Sequence, residues 1–166
     1  MLGIAFSLHF GLFHVLSCVW RQMNVMAVPI MNRPLSSHSL TEFWGRRWNL
    51  AFRDLTHRFL FLPLLARCGA VGALLVGFVV SGLIHDLVIS WPAGGGYGLP
   101  TIYFALQGFG IVLERSAWGR RLGVGQGRPG RLFCIACIGL TSPLLFHQAF
   151  LERVVVPFLL AIGCIR

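Results

Sequence analysis

The stretch CGAVGALLVGFVVSGLIHDLVISW, residues 68–91, decides how this chain folds. It is apolar apart from Ser81, Ser90 and one ionisable pair, His85 and Asp86. About 20 such residues suffice for a helix to cross the hydrocarbon of a bilayer. Its first part is rich in Gly, Ala and Val, the small side chains that let membrane helices approach closely. An ionisable residue inside such a helix is costly and is a functional candidate by default.

The rest of the chain agrees with a membrane setting. Of 166 residues, 56% are hydrophobic and 11% charged, and the mean hydropathy is +0.75. Soluble domains carry about 25% charged residues. This excludes a disordered chain, an ordinary cytosolic enzyme and a disulfide scaffold. All 14 basic residues are Arg and none is Lys, so Schiff-base and Walker A lysine chemistry is excluded. The net charge of +9 does not point to nucleic acid, because the Arg residues lie between apolar runs. There they set topology or meet anionic headgroups and phosphates.

The expected fold is an all-α, polytopic membrane protein in one domain, residues 1–166, with four to five transmembrane helices plus an interfacial amphipathic helix. The spans are Met1–Trp20, Cys68–Trp91, Leu99–Leu113, Leu132–Leu151 (interrupted by Pro143) and a partial one, Val154–Ile165. Met1–Trp20 has neither a basic leader nor a clear small-residue cleavage site, so it reads as a span and not a signal peptide. Two basic segments flank the middle spans. Residues 21–67 carry seven Arg against two acids, and residues 114–131 carry five Arg against one. Two spans separate them, so both can be cytoplasmic, which puts the N-terminus outside. In the first, Ser39-Leu40-Thr41-Glu42 reads as a capping box. Leu40, Trp44, Trp48, Ala51 and Leu55 then recur at helical spacing, with Arg46, Arg47, Arg53, Asp54 and His57 mostly on other faces. That pattern predicts an amphipathic helix on the membrane surface. Phe59–Leu65 is apolar again, broken by Pro63.

His85 is the foremost candidate for chemistry, since imidazole serves as a general base near neutral pH. Asp86 follows directly and points to another face of the helix. The bland alternative is a histidine satisfied by a backbone carbonyl or a neighbouring helix. Asn49, by spacing alone, is a polar residue on a polar face, and Arg46 and Arg47 suit headgroups or a phosphorylated ligand. Cys134-x-x-Cys137 has the spacing of a metal or redox pair but sits in an apolar helix without a second pair, so no metal site is expected. A bis-histidine haem built from His9 or His14 with His147 is a remote option. Gly125–Gly130 matches a nucleotide-loop pattern by letter but has no preceding strand and contains Pro129.

Two segments together bring a resemblance. PLSSHSLTEFWGRRWN, residues 34–49, is similar to the signature of wax synthases, within the membrane-bound O-acyltransferase superfamily. VSGLIHD, residues 80–86, resembles the histidine segment of the same family. The likeness is strongest over residues 34–90, extends to about residue 115, and is to the C-terminal half of those proteins. It implies transfer of a fatty acyl group from acyl-CoA to the hydroxyl of a long-chain alcohol. It also implies that His85 is the base and that Asn49 orients substrate or hydrogen-bonds developing charge. The implied partners are acyl-CoA as co-substrate, a lipophilic alcohol and the lipid bilayer, with no further cofactor and a homo-oligomer left open. Arg46, Arg47, Arg53 and Arg58 are our own candidates for meeting the polyanionic CoA end. The membrane is the plasma or inner membrane for a bacterial source and the endoplasmic reticulum for a eukaryotic one. A second reading is a truncated, non-catalytic subunit packing with partner helices.

Overall fold

The computed structural model describes residues 30–164, together with Val15, Val19, Gln22 and Met23. The expected span Met1–Trp20 lies almost wholly outside the described residues, as do His9 and His14. Among the described residues all regular structure is helical.

Helix α1 opens at Leu40–Glu42 and widens into a π turn at Phe43–Arg47. The capping box forms at its start: Ser39 Oγ accepts from the Glu42 N–H at 2.9 Å. The return half is displaced by one residue, because Glu42 Oε2 accepts from the His38 N–H at 2.8 Å. The first N–H groups of any helix lack partners within it. Here Glu114, far along the chain, takes two of them, accepting from Leu40 N–H at 2.7 Å and Thr41 N–H at 3.3 Å. Leu40 and Phe43 then meet Ile111 and Cys134 in the buried core, with Trp44, Trp48 and Phe78 packed against it.

The surface helix expected to run from Ser39 past Leu55 is in fact two helices. Trp48 turns extended and Asn49 is left-handed (φ 41°, ψ 61°), so α1 ends and a new helix begins at Leu50. Asn tolerates that conformation and its short side chain caps the next helix, which periodicity alone does not reveal.

Helix α2 spans Leu50–Ala93, 44 residues. Pro63 does not break it, because the helix widens into a π turn at His57–Phe61, just before the missing N–H. Its one non-helical residue is Gly69 (φ 69°, ψ 176°). Helix α3 is Leu99–Arg115, α4 is Ala117–Leu122, α5 is Gly127–Leu145, and α6 is Gln148–Ala161. Helix α3 packs between α2 and α5. Glycines allow the closest approaches: a Cβ on Gly82 would stand 2.5 Å from Thr101 Cα, and one on Gly110 would stand 2.7 Å from Leu40 Cδ1.

Four to five spans were expected; the described residues hold one helix long and apolar enough to cross a membrane, α2, or two if the bent pair α5 and α6 is one span. The expected span Leu99–Leu113 became α3, 17 residues with one buried side that carries Gln107 and Glu114. The expected span Leu132–Leu151 starts earlier, at Gly127, and breaks after Leu145 by 62°. At the break His147 is extended and its Nδ1 accepts from the Phe150 N–H at 3.3 Å, capping α6. The partial span Val154–Ile165 is the later part of α6, which ends at Ala161. Along α2, Leu62, Leu65, Val71, Val79, Leu83 and Leu87 are exposed, a surface suited to hydrocarbon.

Candidate active site

His85 sits in the last turn of the regular part of α2, half-buried. Its Nδ1 lies 2.7 Å from the Ser81 carbonyl oxygen. A carbonyl only accepts, so Nδ1 carries the proton and donates. In the neutral ring that leaves Nε2 as the basic nitrogen. Ser81 is settled by donating its hydroxyl to Gly77 O at 2.9 Å. The Phe104 ring lies against the imidazole, centroids 4.3 Å apart and planes tilted by 41°.

Phe104 also joins the two motifs. Trp44 packs against it at 5.6 Å and edge-on to Phe78 at 5.7 Å, while Phe43 and Trp48 stack at 5.4 Å behind. An aromatic wall therefore runs from the Trp-rich segment to His85. Gln107 braces it from within. This residue is fully buried; its Oε1 accepts from Trp44 Nε1–H at 3.4 Å, and its Nε2 donates to Cys137 O at 3.2 Å and Thr141 Oγ1 at 2.9 Å. A buried amide left without such partners would cost about 1–3 kcal/mol.

Asp86 points away from His85's ring and holds the start of α3. Its Oδ1 accepts from the Ser90 hydroxyl and the Gly98 N–H, both at 2.8 Å. Its Oδ2 accepts from the Thr101 N–H at 3.2 Å and from the Thr101 hydroxyl. Ser90 is fully buried, and His147 Nε2 lies 3.2 Å from its oxygen. Because Nδ1 of His147 accepts from Phe150, Nε2 is the donor, so a chain runs from His147 through Ser90 to Asp86. The His147 ring lies so close over Gly96, which has φ 74°, that a Cβ there would overlap it.

The structure places the other sequence candidates as follows. Asn49 Oδ1 accepts from the Phe52 N–H at 3.2 Å, so Asn49 is the N-cap of α2. Arg47 is engaged: its Nε donates to Glu42 Oε1 at 2.8 Å, and Nη1 reaches the carbonyls of Asn32 and Arg33. The Glu42 carboxyl is lowered below the usual range, chiefly by the His38 N–H and also by Arg47, against the opposing effect of burial. Arg46, Arg53 and Arg58 are exposed, and Arg53 pairs with Asp54 at 3.1 Å. Cys134 is buried and Cys137 half-buried on α5; no group of three His, Cys, Asp or Glu able to hold a metal occurs among the described residues.

The sequence reading missed Phe104, Gln107, Thr101, Ser90 and Glu114. A signal existed for two of them: Gln107 and Glu114 are polar residues in an apolar helical pattern, and burial there demands partners. Nothing local marks Phe104, whose importance comes only from packing on His85.

These features describe an all-helical protein among its described residues, with a candidate base set into an apolar helix long enough to cross a membrane. The Membrane bound O-acyl transferase family model matches residues 27–106, which include both motifs and Phe104. The chain is a relative of the wax synthase-like membrane-bound O-acyltransferases. It is 28% identical over 144 residues to "Probable long-chain-alcohol O-fatty-acyltransferase 9" of Arabidopsis thaliana, covering 75% of this chain and 40% of that protein. It is 31% identical to "Long-chain-alcohol O-fatty-acyltransferase" of Simmondsia chinensis, over 55% of this chain and 30% of that one. It is 32% identical to "Acyl-CoA--sterol O-acyltransferase 1" of Arabidopsis thaliana, over 51% and 27%. The chain thus spans less than half the length of these relatives. No solved structure matches it.

Proposed function

We propose that this chain carries the acyl-transfer centre of a membrane O-acyltransferase that joins a fatty acyl group from acyl-CoA to the hydroxyl of a long-chain alcohol. The supporting observation is His85: a half-buried imidazole in an apolar helix, its Nδ1 tied to Ser81 O, its Nε2 the basic atom. Nε2 takes the alcohol proton as the oxygen attacks the thioester carbonyl. The C–S bond breaks, and the imidazolium returns the proton to the CoA thiolate. No covalent enzyme intermediate is needed. A site in a multi-pass integral membrane protein suits both greasy chains and keeps water from the thioester. Asn49, whose Oδ1 caps α2, would present its amide N–H to substrate. The exposed Arg46, Arg53 and Arg58 would meet the CoA phosphates, with Arg47 beside them.

The test is ester formation from palmitoyl-CoA and hexadecanol in membranes holding the chain. His85→Ala should lower the rate by about 10²–10⁴-fold, the usual weight of a general base, with insertion unchanged. Near-normal ester from that variant sinks the mechanism. No ester from inserted wild type favours the non-catalytic reading. For Asn49, Asn49→Gly keeps the left-handed backbone and removes the amide; an unchanged rate would leave Asn49 a cap only.

A further inference from the structure

His85 is the candidate base, and the Phe104 ring is packed against its imidazole. We infer that Phe104 selects the acceptor: it admits a slender primary carbinol to His85 and excludes a hydroxyl carried on a branched or ring carbon. The inference deepens the acyl-transfer reading and rests on it.

Phe104 is close and it is held. Its centroid lies 4.3 Å from that of the imidazole, a contact distance. It is 5% exposed. Trp44 flanks it at 5.6 Å and Tyr103 at 5.1 Å, so aromatic neighbours restrict its ring. Its helix cannot slide either. Thr101, one turn earlier, is fastened to Asp86 by backbone and side chain and pressed against Gly82. A general base needs its proton within about 2.6–3.2 Å. With Nδ1 committed to Ser81 O, only Nε2 can receive it. A primary carbinol brings one carbon substituent to that point. A secondary ring carbon brings two, and a buried ring packed on the imidazole leaves less room for the second. Sequence comparison sets the two acceptor shapes side by side, since the chain's relatives carry both long-chain-alcohol and sterol names.

The experiment is a competition in one tube. Membranes bearing wild type, Phe104→Leu or Phe104→Trp receive palmitoyl-CoA with equal hexadecanol and cholesterol. The ratio of the two esters is independent of how much protein folds. We expect Phe104→Leu to raise the sterol-to-alcohol ratio at least tenfold, within the ~10–200-fold that a small change of pocket volume gives, and Phe104→Trp to lower it. A ratio unchanged in both variants overturns the inference. If wild type makes neither ester, the acyl-transfer reading fails separately, and access to His85 is read by its carbethoxylation with diethyl pyrocarbonate. Faster labelling of His85 in Phe104→Leu supports Phe104 as the cover, and an equal rate overturns it.

Discussion

Two carboxylates do the same work at opposite ends of α3. Asp86, on α2, accepts from the N–H groups that open α3. Glu114, in the last turn of α3, accepts from the N–H groups that open α1. Both use a negative side chain from one helix to finish the start of another, where the backbone offers unpaired donors and a partial positive charge. They differ in what stands beside them. Asp86 follows His85 and fixes the helix that carries Phe104. Glu114 stands by Leu40 and the core under Ile111 and Cys134. The same device stands beside the candidate base at one end and beside the buried core at the other.

The largest expected effect breaks the two apart. Asp86→Ala should cut ester formation per inserted molecule on the order of 10²-fold, since a small misplacement near reacting groups costs that much. Glu114→Ala should leave the rate per inserted molecule within about twofold but lower the unfolding midpoint in detergent, by the ~1–3 kcal/mol of unsatisfied buried donors. Equal loss of rate in both would dissolve the distinction. A smaller contrast lies in the glycines. Gly82→Ala drives a methyl into the Thr101 backbone and should lower the rate about tenfold. Gly110→Ala meets side-chain atoms of Leu40 and Cys137 rather than backbone and should touch stability instead. A rate loss for Gly110→Ala as large as that for Gly82→Ala would place chemistry at both ends.

Between the ends stands Gln107. Gln107→Leu should destabilise by about 1–3 kcal/mol, read by thermal denaturation, because Trp44 Nε1 loses its acceptor and Cys137 O and Thr141 Oγ1 each lose one of their donors. The smallest effect is in acid. The Glu42 carboxyl is lowered from 4.5 in the folded chain, so its contribution is present above 4.5 and fades as pH falls through its lower folded value. Glu42→Gln should therefore flatten the acid limb of the stability profile, and an unaltered limb would show that another group governs it.

Much of this was legible in the letters. Ser39 and Glu42 announced the start of α1, and residues 68–91 announced an apolar helix with His85 inside it. The break at Asn49 was not legible, because Leu40, Trp44, Trp48, Ala51 and Leu55 keep helical spacing across it. The left-handed residue changes direction without disturbing that count. Among the described residues fewer helices qualify as spans than expected, because apolar content does not distinguish a lipid-facing helix from one half-buried against protein. Gln107 and Glu114 carried that information, as did His147, whose side chain caps a helix where a straight span was expected. Asp86 was seen as pointing elsewhere than His85, which is right, but its partners Gly98 and Thr101 lie across a turn that spacing does not fold.

Gly69 sets how much of α2 can run straight through a bilayer. A straight helix of the 44 residues of α2, at ~1.5 Å each, would be about 66 Å long, more than twice the ~30 Å hydrocarbon thickness. The glycine-only conformation at Gly69 divides that rod. The part beyond it, about 24 residues or ~36 Å, matches one bilayer crossing with tilt. The part before it bears Arg53, Arg58 and Arg67 and is free to run along the water boundary. One residue without a side chain thereby divides a helix longer than a bilayer is thick into a part that matches one crossing and a part that does not.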